Sequence, residues 1–302
     1  MIDHRALRLS DLHGAVRLGI DATAGITDLV EAMHAAISRP DLGIRSAASE
    51  RTSGITGLVY RSIRGVTGLT SAGLNAVLAR QDVGYERTSV EREAVIAALN
   101  GVLGDHLATT GNPLAIPMRL HHAGMPLTLQ MDALSQSIPD AGPRLLVLVH
   151  GLCMNDLQWT VQHECESFNH AETLAAKLGY TPVYVRYNTG LHTSQNGQML
   201  SNQLELLSAL WPLPLEEVSV LVHSMGGLVT RAAVHLAQQN KRHWVKKLKN
   251  IVFLGTPHHG APLEKAGNWI DVLLGVTPFS APFKKLAELR SAGITDLRFG
   301  YV

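Results

Sequence analysis

Cysteine, aromatic residues and net charge are all scarce in this chain, and each scarcity closes off a class of explanation. Two cysteines in 302 residues, Cys153 and Cys165, are too few for a disulfide framework. They allow one local bridge without requiring it, so a reduced, cytoplasmic protein is the expectation. A formal net charge of +1 supplies no global field to draw in nucleic acid or an anionic membrane. KRHWVKKLK at 241–249 is locally basic and reads as a solvated connection rather than a binding patch. Long apolar runs are missing too. LLVLV at 145–149 is strand-sized, so no transmembrane segment is expected, and MIDHRALRLSDLHG lacks the apolar stretch of a signal peptide. No G-x-G-x-x-G follows a predicted strand, which sets aside a dinucleotide fold, and nothing calls for a cofactor. The pairs His121-His122 and His258-His259 cannot chelate alone, because adjacent side chains on extended backbone point to opposite sides. No metal site is expected.

What is present is a core. Hydrophobic residues make up 46% and charged residues 17%, enough to fill one large domain or two smaller ones. The style of the sequence changes near position 110. Before it, Ile26, Leu29, Val30, Met33 and Ile37 fall on one helical face, and Ile55, Leu58, Val59, Ile63 and Val66 on another. GITDLV at 25–30 and GITGLV at 54–59 form a weak internal repeat. Thr88-Ser89-Val90-Glu91 is a capping box, followed by Ile96, Leu99 and Leu103. Residues 1–110 are therefore expected to be a helical N-terminal region that caps the core or self-associates. A weaker alternative is contact with a lipid surface, against which few aromatics, no lysine and interspersed acids all argue.

From 111 to 302 the pattern is that of strands alternating with helices. IPMRLHHAGMPLTL alternates around His122-Ala123-Gly124 and predicts a hairpin. RLLVLVHG at 144–151 is a buried strand ending in a His-Gly loop. Asn169-His170-Ala171-Glu172 caps a helix ending at Gly179, PVYVRY follows as a strand, and Met199, Leu200, Leu204 and Leu207 mark a helix before Pro212. This order implies a mostly parallel sheet with right-handed crossovers. LEEVSVLVHSMGGLVTRAAVHLAQ then places Ser224 between an apolar β-rich run, Val218 to Val222, and a helix-periodic run from Leu228 to Leu236. A serine on such a turn is lifted above the sheet with a helix N-terminus behind it. Val222 stands where G-x-S-x-G has its first glycine, which asks for a wider packing or a rotated turn.

With IVFLGTPHHG at 251–260 as a further strand running into a loop, the second half of the chain resembles the α/β-hydrolase superfamily. Within it, the lipase and esterase branch is the match, and most of all the GPI inositol-deacylase-like lipases. The resemblance implies a mostly parallel sheet with flanking helices, Ser224 as nucleophile, and the backbone N–H groups of Leu152 and Met225 as oxyanion donors. It implies a small-molecule or lipid ester as substrate.

The same resemblance exposes a shortage. In that family an acid and then a histidine follow the nucleophile on loops after later strands. Residues 255–302 are too few for two more βα units of roughly 30 residues each. His235 sits mid-helix and His243 in the basic connection, while His258 and His259 fall on a loop that shapes the site in that family. Asp271 and Asp296 are not placed like a triad acid. The expectation is a chain that stops before its acid and histidine. Two functions follow: a serine ester hydrolase, or a non-catalytic hydrolase-fold protein acting as a binding module.

Overall fold

The computed structural model describes residues 10–11, 13–21, 90–163, 166–260 and 291–299. The helices expected around 26–37 and 55–66, the capping-box residues Thr88 and Ser89, and Cys165 and Asp271 lie outside the described residues. The chain divides into two compact units, one of 1–87 with 112–114 and one of 88–111 with 115–302. In the first, residues 13–21 are helical. Asn112 Nδ2 donates to the Gly14 carbonyl at 3.0 Å, and Asn112 Oδ1 accepts the Leu114 N–H.

The second unit opens with helix α1 (Val90–Thr109), which the change of sequence style had grouped with the N-terminal region. Strands β1 (Arg119–His122) and β2 (Met125–Pro126) then form the expected hairpin. Ala123 and Gly124 turn it, both at positive φ (49° and 75°), the backbone of a two-residue hairpin whose twist suits the strands. Helix α2 (Met131–Ser137) and strand β3 (Arg144–Val149) follow, and then a separate ribbon of β4 (Thr160–His163) and β5 (Glu166–Asn169). Helix α3 (His170–Leu178) begins at Asn169, whose side chain accepts the N–H groups of Ala171 and Glu172. It ends at Gly179 in the left-handed region. Strand β6 (Thr181–Arg186), helix α4 (Thr193–Leu210), strand β7 (Glu217–His223), helix α5 (Met225–Gln239), strand β8 (Leu248–Leu254) and helix α6 (Ala292–Phe299) complete the unit.

The six-stranded sheet runs β2-β1-β6-β3-β7-β8, with β6, β3, β7 and β8 parallel and β1 antiparallel to β6. Period-two alternation along β3 builds two cores. Leu145, Val147 and Val149 join Val183, Val185, Val220 and Val222 under α4 and α5. Leu146 and Leu148 join Tyr184, Leu221, Trp159 and the alanines of α3 on the other face. Each such side chain, fully buried, contributes about 1.5–3 kcal/mol. Burial on both faces explains why β3 reads as a continuous apolar run. β8 closes the order, and its Val252, Phe253 and Leu254 are exposed.

One expectation is corrected here. Ile96, Leu99 and Leu103 of α1 are half-buried, and the buried positions are Ala94, Ala97, Ala98, Asn100, Gly101, Val102, Gly104 and Leu107. Backbone approach is the reason. A Cβ on Gly101 would overlap Cys153 Sγ, and one on Gly104 would overlap Asn188 Oδ1, so the face carrying these glycines turns inward and takes Val102 and Leu107 with it.

Candidate active site

Ser224 lies between β7 and α5 with φ 51° and ψ −123°. That backbone suits glycine and costs a serine on the order of 1–3 kcal/mol, so the surroundings must enforce it. They do so at short range. The Ser224 N–H donates to the Leu254 carbonyl at 2.8 Å, and the Ser224 carbonyl accepts the Gly227 N–H at 3.0 Å. A Cβ on Gly226 would stand 2.6 Å from the carbonyl oxygens of both Val149 and His150, so this helix start is pressed onto the end of β3. Val222 in place of the usual glycine is accommodated as a fully buried strand residue paired with Val149 and Phe253.

The His-Gly loop arrives from the neighbouring strand. A Cβ on Gly151 would lie 2.9 Å from His223 Nδ1 and 3.1 Å from Ser224 Cβ, so the loop's backbone passes directly over the serine. The His150 ring stacks on Tyr187 at 4.4 Å, and the Tyr187 hydroxyl donates to the His150 carbonyl at 2.8 Å. His150 Nδ1 is 3.0 Å from the Gly151 carbonyl, and with an oxygen as partner that nitrogen carries the proton. Burial pulls the His150 pKa down to about 4, and burial also lowers that of His223. Next along, Cys153 adopts φ 58°. Its N–H donates to Thr189 Oγ1 at 3.2 Å, its thiol is free, and burial pushes that thiol up to about 12, which keeps it unreactive.

Leu152 and Met225 are buried in one cluster with Val102, Cys153, Leu228, Ile294 and Leu297. Neither backbone N–H has a hydrogen-bond partner among the described residues. For Met225 that follows from its place in the first turn of α5, where N–H groups have no intrahelical acceptor. Four side-chain atoms around the turn are likewise buried without partners among the described residues: Ser224 Oγ, His223 Nδ1, His150 Nε2 and Thr256 Oγ1. An unsatisfied polar group costs free energy, and a group of them is a marker of a site built for something else to bind.

The other nominated residues sit apart from the serine. His258 and His259 are exposed after β8, and the His258 ring packs edge-on against Phe253 at 4.7 Å and beside Arg231. His235 and His243 engage Gln239 and Glu205 on the surface. His121 and His122 do point to opposite sides, the first inward to Asp156 and the second to the Pro182 carbonyl. Among the described residues no group of three His, Cys, Asp or Glu side chains is set to hold a metal.

Two arrangements escaped the sequence analysis. Asp156, Arg186, Glu93 and His121 form a buried ionic cluster, Arg186 bonding both carboxylates. Burial alone would raise the Asp156 pKa, but His121 and Arg186 hold it well below the usual carboxylate range. Asp296, rejected above as a triad acid, is buried and occupied. It accepts the Thr193 N–H at 2.7 Å and lies 3.1 Å from His192 Nδ1. Neither could be found from spacing, because the partners are about 30 to 100 residues apart. Asn188 and Thr189, which hold α1 and Cys153, carry no motif either.

Among solved structures the chain is similar to the lipase BlEst2 of Bacillus licheniformis. It is 20% identical to the mature form, with a TM-score of 0.37, covering 52% of this chain and 55% of that one. The propeptide form is 21% identical, with a TM-score of 0.36, covering 52% of this chain and 30% of that one. The chain thus spans about half, or less, of those lipases. No curated protein matches it. The family model of the PGAP1-like alpha/beta domain matches residues 141–296, just over half of the 302 residues, and the chain belongs to that family.

Proposed function

We propose that this chain is a serine ester hydrolase of the lipase and esterase type, acting on a carboxylic ester with an apolar acyl chain. Ser224 Oγ attacks the carbonyl carbon, and the N–H groups of Met225 and Leu152 receive the oxyanion. Collapse of the tetrahedral species expels the alcohol and leaves the acyl group on Ser224, from which water releases the carboxylic acid. The observation that carries this reading is the Ser224 turn itself. It is a strained, buried serine with an unengaged hydroxyl, and two unengaged N–H groups belong to the backbone beside it. The free buried Cys153 thiol supports a reducing, cytoplasmic setting.

Activation of the hydroxyl needs a proton acceptor, and no ring nitrogen or carboxylate bonds Ser224 Oγ among the described residues. Hydrolysis by this chain is therefore expected to be slow, because a serine hydroxyl without a base is a poor nucleophile at neutral pH. A fluorophosphonate probe with p-nitrophenyl ester assays tests both points. Slow labelling confined to Ser224, and ester hydrolysis lost in Ser224→Ala, support the reading. Equal hydrolysis by both forms removes Ser224 from the mechanism. Binding of esters without turnover would leave a binding module.

A further inference from the structure

We infer that helix α6 is the brace holding both proposed oxyanion donors in place, with Asp296 as its fastening. This deepens the ester-hydrolase reading of Ser224 and rests on it.

Each proposed donor adjoins a non-glycine residue at positive φ: Leu152 precedes Cys153 (58°), and Met225 follows Ser224 (51°). Backbone of this kind persists only where its surroundings over-determine it. One apolar cluster grips both turns, and α6 supplies two of its members, Ile294 and Leu297, each nearly fully buried. Without them the cluster that holds Leu152, Met225 and Leu228 would lose two of its seven buried members.

The helix is tied down from Ser291 to Asp296. Ser291 Oγ donates to the Gly101 carbonyl at 2.6 Å, and the Ala292 N–H donates to Asp105 Oδ2 at 2.9 Å. The Gly293 N–H donates to the Gly190 carbonyl at 3.0 Å, and a Cβ there would overlap the Thr189 carbonyl. Asp296 makes the charged tie. Its carboxylate accepts the first N–H of α4 from Thr193, at the positive end of that helix, with His192 alongside. The 188–193 segment to which α6 is bound also holds the Cys153 N–H through Thr189. The linkage is closed: Asp296 fixes α6 to this segment, and both then fix the Leu152–Cys153 turn. Asp296 is thereby a positioning residue, since a donor displaced by about 1 Å can cost about 10²-fold in rate.

The test uses the full chain, with ester hydrolysis and amide hydrogen exchange measured in parallel on Asp296→Ala and Asp296→Asn. Asparagine keeps an oxygen for the Thr193 N–H. We expect Asp296→Ala to lower kcat about 10- to 100-fold with KM within twofold, and to speed exchange at 151–154 and 224–226. Asp296→Asn should recover most of both. Leu297→Ala carries the same comparison if Asp296→Ala does not fold. Faster exchange in α6 with unchanged exchange at 151–154 and 224–226 overturns the brace. So does a KM rise at constant kcat. If Ser224→Ala keeps the full rate, the hydrolase reading fails by itself, and the exchange data alone then decide whether α6 holds the two turns.

Discussion

The Ser224 turn and the seat of helix α6 share one apolar cluster, yet they are assembled in opposite ways. The turn is local: a strand, one strained residue and a helix start, pinned by backbone contacts to the ends of β3 and β8. The α6 seat gathers residues from 101–105, 189–193 and 291–297, and side chains make several of its ties. A local device concentrates its consequences in one residue. A gathered one spreads them, so that loosening any member loosens the rest.

The sharpest way to break the comparison is at the serine. Ser224→Ala should abolish ester hydrolysis while leaving thermal stability nearly unchanged, which activity assays and calorimetry on the same samples would check. Rate loss accompanied by a large fall in Tm would show that the turn is not an independent device. Next in size come two steric probes, one in each region. In Gly226→Ala the new methyl meets the backbone oxygens of Val149 and His150, and in Gly293→Ala that of Thr189. Backbone cannot swing aside, so each should cost about 2–3 kcal/mol in denaturant unfolding. If the α6 seat is the more yielding, as a gathered structure permits, Gly293→Ala will fall below Gly226→Ala.

A pH titration comes third. His150 is buried with its pKa lowered to about 4, against 6.5 in a free side chain. A depressed histidine leaves the unfolded chain taking up its proton first. Stability is therefore full above pH 6.5 and is lost as pH falls toward 4, by up to about 3 kcal/mol from this group. His150→Gln should flatten that part of the stability–pH curve, and an unchanged slope would place the titration elsewhere. The smallest effect runs the other way. Ser224→Gly relieves a positive φ and should raise stability by about 1 kcal/mol although it removes the hydroxyl. No gain would mean the turn carries little strain.

Much of the frame was legible because its causes are local. Asn169 and Gly179 bracket α3, Ala123-Gly124 turns the hairpin, and the β3 and β7 runs read as strands since both faces of a parallel sheet are covered. The match of 141–296 to the family bears out the resemblance drawn from the same motifs. Helix α1 was misread in one respect for a physical reason. Apolar periodicity put Ile96, Leu99 and Leu103 on the inner face, whereas close backbone approach at Gly101 and Gly104 turns Ala97, Ala98, Val102 and Leu107 inward instead. Asp296 was weighed only as a reacting acid, and spacing gave no hint that it ties down the start of a helix 103 residues earlier in the chain.

The sequence by itself determined the β1–β2 hairpin, the strands β3, β6, β7 and β8, the helices α3, α4 and α5, and that a serine would stand on a sharp turn. Those depend on φ/ψ preference, capping and hydrophobic period, all set by residues within a few positions of one another. Only the tertiary structure decided that Gly151 lies over Ser224, that Asp156, Arg186, Glu93 and His121 meet in one cluster, and that Leu152 and Met225 share a cluster with α6. Close approach and charge pairing between distant segments depend on how the layers stack, and no local pattern in a chain encodes that distance.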